Sequence, residues 1–319
     1  MNISVDRVGH LKNAVTEQSA TKKESTSVRV THVGLGFTDV LAFRGNYPLA
    51  PPMPFALGYE FAGVDERGRR VAGLLPKLGA TLDMMQIDRR RLVPIPDGLP
   101  SEVAAAIPLN YLTASAMIGV HAKLQSGDSL LIHGASGGVG TATLQLATRD
   151  GIIAFGTASP SKHDIVKKAG GTPIDYQSGD WLRKLHELRP QGVDAALDSF
   201  GGRVQRKSWR ALSHSGTLVS FGFYPSARAS MWSSVLGMVF LHSRRLVPTR
   251  RRALLCSLPA LVARDTEWYR MTLTELLAAT MEGRIDPVID SVVPAGNTSL
   301  ALDRIERQVT RGKIVLTMT

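Results

Sequence analysis

The sequence predicts an α/β protein: a doubly wound parallel sheet in the middle and carboxyl-terminal part of the chain, preceded by a smaller β-rich region. Three observations carry this. From residue 129 to residue 222 short apolar runs alternate with helical patterns, a spacing that implies right-handed crossovers between parallel strands. Before residue 100 the chain breaks into short apolar segments punctuated by glycine and proline, as in a small β domain. At 319 residues the chain also exceeds what a single core usually supports, so two domains are expected.

The elements follow in order. Val28-Arg29-Val30 alternates as a half-exposed strand does, and a loop follows it. Pro51, Pro52 and Pro54 keep the next stretch extended. Two glycine-punctuated apolar segments, 57–64 and 70–75, come next, and 91–100 is again extended. Ser101-Glu102-Val103-Ala104-Ala105-Ala106-Ile107 reads as a helix with Ser101 near its N-cap and Pro108 as its breaker. A second helix over 111–123 leads by a turn into the apolar run Ser129-Leu130-Leu131-Ile132. Further strands are expected at 152–157, 173–176, 193–198 and 216–222, with helices at 162–169, 181–188 and 204–212 between them. After a serine-rich stretch from 223 and an arginine run at 244–252, helices are expected over 268–282 and 300–311, with a last strand at 312–317.

Composition bounds the function. With 44% apolar and 20% charged residues, neither disorder nor a fibre is indicated. The one cysteine, Cys256, excludes an intrachain disulfide framework and a thiolate zinc cluster, and suits a reducing cytoplasm. Residues 1–23 mix Asp6, Arg7, Lys12 and Glu17 without a signal-peptide core. The longest apolar run, 235–241, is far short of the roughly 20 residues of a membrane span. A soluble cytoplasmic protein is therefore expected.

The formal charge of +11 favours anionic partners: nucleic acid, a phosphorylated cofactor, a coenzyme A ester or an acidic carrier protein. Much of it lies in 67–70, 89–91 and 244–252, which also read as solvated basic surface. No recognition motif or aromatic-basic interleaving supports nucleic acid.

The chemistry centres on His133-Gly134-Ala135-Ser136-Gly137-Gly138-Val139-Gly140, a strand-to-helix turn. Read as A-x-G-x-x-G over Ala135, Gly137 and Gly140, it is built for a dinucleotide. Gly137 lets backbone approach a pyrophosphate, Gly140 lets the helix pack on the strand, and helix N–H groups hold the phosphates.

Together and in order, several segments resemble the medium-chain dehydrogenase/reductase family, in its zinc-free quinone oxidoreductase and enoyl reductase branch. They are Gly34-Leu35-Gly36-Phe37-Thr38-Asp39 with Arg44-Gly45-Asn46-Tyr47, Gly58-Tyr59-Glu60-Phe61-Ala62-Gly63, and Ala104-Ala105-Ala106-Ile107-Pro108 with Leu112-Thr113-Ala114. The glycine turn, Leu197-Asp198-Ser199-Phe200-Gly201-Gly202 and Gly312-Lys313-Ile314-Val315-Leu316 complete the set, covering about residues 28–319. The resemblance implies a Rossmann domain at 110–261 and a split, GroES-like catalytic domain at 1–109 and 262–319. It also implies a homodimer paired through the region of 235–241.

The zinc enzymes of this superfamily carry an early cysteine ligand and a histidine in a Gly-His-Glu motif. Here Tyr59 takes the histidine position and Cys256 lies far away, so no catalytic zinc is expected. His32, His133 and His163 show no ligand spacing and read as ordinary surface or strand residues.

A NAD site usually has an acid about 20 residues past the glycine turn. Thr157-Ala158-Ser159-Pro160-Ser161-Lys162 offers none, and the resemblance implies that Ser159, Lys162 and Tyr176 hold the 2′-phosphate of NADPH. Ser159 as a helix N-cap and Lys162 as a solvated residue is the alternative. Ser199, Gly222 and Lys313 are further cofactor-side candidates, and Thr113 and Asn110 are candidates beside the nicotinamide.

On the substrate side the family pattern Asn-x-x-Asp keeps Asp39, with Arg44 and Tyr47, but has Gly36 in place of asparagine. Tyr47 either donates to a carbonyl oxygen as charge develops or walls the site. The expected reaction is hydride transfer from NADPH to an enone, an enoyl thioester or a quinone, in the tailoring of a biosynthetic intermediate free or carried by an acyl carrier protein. The alternative is a non-redox cyclase or isomerase that keeps the fold, to which the missing asparagine gives its interest.

Overall fold

The computed structural model describes residues 2–13, 24–222 and 231–318. Part of the amino-terminal segment read for a signal peptide (14–23) and the start of the serine-rich stretch (223–230) lie outside them. The chain forms two units, Thr113–Leu258 and Met1–Leu112 with Pro259–Thr319.

In Thr113–Leu258 six strands form one sheet, all parallel, in the order Thr172–Asp175, Ile153–Ala158, Ser129–His133, Val193–Asp198, Leu212–Ser220, Arg252–Leu255. Ser129–His133 stands where the order reverses, the point at which such sheets bind ligands beyond their strand ends. Leu130, Leu131 and Ile132 are fully buried, as a strand covered on both faces requires. The helix Trp181–Leu188 shows how sequence builds a cover for the sheet. Trp181, Leu182 and Leu185 make its buried stripe, while Arg183 and Lys184 reach Glu187 on the exposed side.

Arg252–Leu255 is a strand the sequence did not reveal, because it begins inside the arginine run. That run is also less of an anionic-partner surface than its charge suggests. The Arg251 guanidinium donates to the carbonyls of Trp209, Leu212 and Ser213 at 3.0, 2.6 and 2.9 Å, tying the helix Gly202–Arg210 to the strand after it. Arg244 lies over the rings of Phe240 and Trp209.

In the other unit both ends of the chain build one sheet. Lys313–Thr317 pairs antiparallel with Ser25–Leu35, from Ile314 opposite Leu35 to Thr317 opposite His32. Ile289–Pro294 flanks it on one side; Glu60–Asp65, Arg70–Leu74 and Leu92–Pro94 continue the sheet on the other, and Met84–Asp88 also pairs with Ser25–Leu35. A smaller sheet joins Ile3–Arg7 to His10–Asn13 and Phe55–Ala56.

Element ends differ from expectation for local reasons. Pro100, the neighbour of Ser101, is the N-cap of Ser101–Ala105, and the Ser101 hydroxyl accepts from Arg70. Pro108 both stops that helix and opens Pro108–Ser115, where its missing N–H costs nothing. The helix expected over 111–123 becomes a π-helix at Ala116–Ala122 and closes on Lys123 at φ +58°.

Candidate functional site

The parallel sheet ends in a cradle. Beyond Ser129–His133 the chain turns through Gly134 at φ +67°, and Gly137 is the N-cap of the helix Gly138–Arg149. The Gly137 N–H donates to the Gly134 carbonyl at 3.0 Å and the Thr141 N–H to the Gly137 carbonyl at 2.8 Å. The first N–H groups of the helix have no intrahelical acceptor and bear the positive end of its dipole. Ala135 is fully buried, and its Cβ would meet a Cβ on Gly156 of the neighbouring strand at 2.5 Å. Ser136, Gly138 and Val139 fill the rest of the turn.

The edge of the same sheet places the other candidates. Ala158 pairs with Asp175, so Ser159 and Tyr176 are the next residues beyond two adjacent parallel strands. Ser159 occupies the N-cap position of the short turn Pro160–Lys162 without any side-chain capping bond; its Oγ lies 3.3 Å from Ser161 Oγ. The capping explanation for Ser159 therefore has no hydrogen bond behind it. Tyr176 is 47% exposed. Ser199 and Gly222 follow the strands Val193–Asp198 and Leu212–Ser220 and lie together: a Cβ on Gly222 would stand 3.1 Å from the Ser199 carbonyl oxygen.

Below the turn runs a polar chain that sequence reasoning missed. His133, the last residue of the strand Ser129–His133, is buried. Its Nδ1 lies 2.9 Å from Thr157 Oγ1, its Nε2 2.9 Å from Ser208 Oγ, and its ring meets Trp181 edge-on. Burial pushes His133 down to about 3, so the imidazole is neutral at physiological pH. Ser208 Oγ also reaches Asp198, whose carboxylate accepts from the Phe200 and Gly201 N–H groups; burial nevertheless pushes Asp198 up to about 6.

In the unit formed by the chain ends, Asp39 is a clamp. Its Oδ2 accepts from Gly36 N–H at 2.8 Å and its Oδ1 from Gly58 N–H at 2.7 Å, which fixes the start of Phe37–Phe43 against the loop that carries Tyr59. Burial pushes Asp39 up to about 6 against these bonds. Tyr47 is half-buried and its hydroxyl lies 2.9 Å from that of the buried Tyr59, the rings edge-on at 6.4 Å. Tyr59 thus joins the polar group around Tyr47, a partnership the sequence did not reveal. Arg44 instead pairs with Glu306 at 2.6 Å near the surface.

Glu60 is fully buried. Its Oε2 accepts from Leu109 N–H at 2.7 Å, holding the start of Pro108–Ser115, and its Oε1 is ion-paired with Lys313, which is 3% exposed. Lys313 thus stands paired within the unit that the chain ends build. Asn110 and Thr113 lie one turn apart on Pro108–Ser115, both buried.

A zinc ion does not fit these donors. The would-be histidine ligand is the phenol of Tyr59, Cys256 belongs to the other unit with burial pushing its thiol up to about 12, and among the described residues no three His, Cys, Asp or Glu side chains gather as ligands. A dinucleotide does fit the cradle, whose backbone leaves no room for a side chain at position 140.

Residues 171–316 match the family described as zinc-binding dehydrogenase. The chain is 32% identical over 313 residues to the synaptic vesicle membrane protein VAT-1 homolog of Mus musculus, covering 91% of this chain and 75% of that protein. It is 34% identical over 292 residues to the synaptic vesicle membrane protein VAT-1 of Tetronarce californica, covering 85% and 74%. Among solved structures it is similar to the quinone oxidoreductase of Thermus thermophilus, described with its NADPH complex, at TM-score 0.82, 26% identity and 99% coverage of both chains. Among the described residues no helix is long and apolar enough to cross a membrane.

Proposed function

We propose that this chain, which belongs to the medium-chain dehydrogenase/reductase superfamily in its quinone oxidoreductase-like branch, is an NADPH-dependent, zinc-independent reductase of an activated C=C bond or a quinone. The observation that carries this reading is the glycine cradle at the end of the parallel sheet, bordered by Ser159 and Tyr176 with no acid between strand end and helix.

The residues have distinct tasks. Backbone N–H groups from Gly138 to Gly140 hold the pyrophosphate. The Ser159 hydroxyl, the Lys162 ammonium and the Tyr176 phenol suit a 2′-phosphate, where an acid would repel it. NADPH, when bound, supplies the hydride. Asn110 and Thr113 orient the nicotinamide end. The hydroxyls of Tyr47 and the buried Tyr59 share a hydrogen bond at 2.9 Å in which either can donate; with Tyr59 as the donor, Tyr47 can direct its own O–H at an acceptor oxygen that gains negative charge as its C=C or quinone is reduced. His133 is neutral and tied into its own buried network, which leaves it no part as a general acid; the proton that completes the reduced product is assigned to solvent.

The test follows NADPH absorbance against 2-cyclohexenone, 1,4-naphthoquinone and crotonyl-coenzyme A, with NADH in parallel. Acceptor-dependent loss of NADPH absorbance supports the reading. Conversion of a substrate without NADPH consumption replaces it with the non-redox one.

A further inference from the structure

The polar chain beneath the glycine turn is satisfied in two protonation states. Leu197 pairs with Ile132 in parallel register, so Asp198 and His133 close adjacent strands at one end of the sheet, and the turn begins with the next residue, Gly134. Asp198 Oδ1 accepts from the Phe200 and Gly201 N–H groups at 2.9 and 2.7 Å. These bonds hold the loop whose Phe200 ring would lie 3.8 Å from a Cβ on Gly134. Asp198 Oδ2 lies 3.0 Å from Ser208 Oγ.

The Ser208 hydroxyl has one hydrogen and two acceptors within reach, Asp198 Oδ2 and the Val204 carbonyl at 2.9 Å. With Asp198 ionised, Ser208 donates to Oδ2. With a proton on Oδ2, the carboxyl O–H donates to Ser208 Oγ, and the hydroxyl turns to Val204. In both states Ser208 Oγ offers His133 Nε2 a lone pair, so the ring carries its hydrogen on Nε2 and accepts from Thr157 Oγ1 at Nδ1. A proton can therefore arrive at Oδ2 with no partner lost. An amide at position 198 could make the same bonds; a carboxyl can in addition change its charge among them.

That charge is poorly compensated. Asp198 is fully buried, and among the described residues no cationic side chain pairs with it. Of the groups around it, His133 is neutral, and Arg203 and Arg206 on the helix Gly202–Arg210 are exposed. Lys207, beside Ser208, reaches Asp180 at 3.1 Å and lies over the Trp181 ring. Ser220, in register with Asp198 on the next strand, accepts from Gln205. Burial already pushes the carboxyl up to about 6. Phosphates bound at the neighbouring turn act in the same direction, because a like charge nearby in a low-dielectric surrounding favours the neutral form of an acid.

We propose that Asp198 gives up its charge when the pyrophosphate of a dinucleotide occupies the glycine turn, so that cofactor binding takes up a proton from solvent onto Asp198 Oδ2. The inference rests on the cofactor reading of the turn and adds a proton to it. Above about pH 6 the empty site holds a charged carboxylate, which opposes the phosphates; below it the carboxyl is neutral and does not. Dinucleotide affinity therefore gains a component as the pH falls through that value.

Asp198→Asn tests this, since it can keep the bonds and cannot be charged. NADPH affinity is measured by fluorescence titration for parent and variant, and the ratio of their dissociation constants cancels titration of the cofactor's own 2′-phosphate. That ratio, parent over variant, is expected to be about tenfold larger near pH 8 than near pH 5. A ratio constant within about twofold overturns the inference and leaves the reductase reading intact. A calorimetric titration of the parent covers a variant that does not fold. NADH, which lacks the 2′-phosphate, is titrated at about pH 6.5 in buffers of different ionisation heat, and about 0.3 proton or more taken up per NADH bound supports the inference. No uptake, or release, overturns it. NADPH that binds but is not oxidised by any acceptor removes the reductase reading and leaves these titrations to decide the inference. If neither dinucleotide binds, both fall.

Discussion

A Cβ on Gly140 would stand 2.4 Å from the carbonyl oxygen of Gly134, inside the turn that the whole nucleotide unit is arranged around. The neighbouring glycine is different: a Cβ on Gly137 would lie 3.4 Å from the same oxygen. Gly140→Ala must push the helix Gly138–Arg149 away from the turn. It is expected to lower stability by about 2 kcal/mol and to abolish NADPH binding. Gly137→Ala keeps the fold and its thermal midpoint but places a methyl where a pyrophosphate would approach, so NADPH binding weakens alone. Thermal denaturation with a parallel NADPH titration separates the two; identical behaviour would count against the cradle.

On the proposed reading, Lys162 favours NADPH over NADH. Lys162→Ala removes one charge-assisted hydrogen bond to a 2′-phosphate, a loss of roughly 1.5–3 kcal/mol, or about 10- to 150-fold in NADPH affinity. NADH has no phosphate there, so its affinity is expected to hold within about twofold. Titration of both cofactors against parent and variant measures this, and an equal loss for both would mean that Lys162 acts only through folding.

The residues behind these two predictions differ in legibility from much of the rest of the molecule. The glycine turn, Ser159, Lys162 and Tyr176 can be read because strand ends and turn residues are local signals, and parallel register then carries Ser159 and Tyr176 to one edge. Fold class is legible for the same reason: the period of the apolar runs is a property of short windows. The pairing of Lys313 with Glu60 is not, since it joins residues 253 positions apart through the sheet that both chain ends build. His133 escapes a sequence reading because nothing in its neighbours along the chain tells that Thr157 and Ser208 stand beside it. The strand Arg252–Leu255 is hidden by its own charge: Arg252 at the strand's start is exposed and reads as surface.

Arg251 illustrates the cost of that reading. It donates to three carbonyls at the joint between Gly202–Arg210 and Leu212–Ser220, whereas Arg250 is exposed. Arg251→Ala leaves those partly buried acceptors without a donor and is expected to cost about 1–3 kcal/mol, seen as a lower midpoint in urea. Arg250→Ala should change stability by no more than about 0.5 kcal/mol. Equal effects would show that Arg251 is merely part of a basic surface.

Asp198 makes stability depend on pH with a sign that can be stated in advance. Its carboxyl is raised from 3.8 to about 6 by burial, so the folded state binds more protons than the unfolded one between those values. The favourable contribution of the protonated group is complete below pH 3.8 and is lost as the pH rises through about 6. Asp198→Asn cannot lose it. The amide oxygen can keep the bonds from Phe200 and Gly201, both of which reach Oδ1, and its NH2 can donate to the Ser208 hydroxyl. The difference in thermal midpoint, variant minus parent, is therefore expected to become more positive between pH 4 and pH 7, by an amount on the order of 2 kcal/mol in stability. His133 titrates in the opposite sense, but it is present in both proteins and largely cancels in the difference. A difference that is flat with pH, or that falls, would show that Asp198 is not a buried carboxylate held against its desolvation.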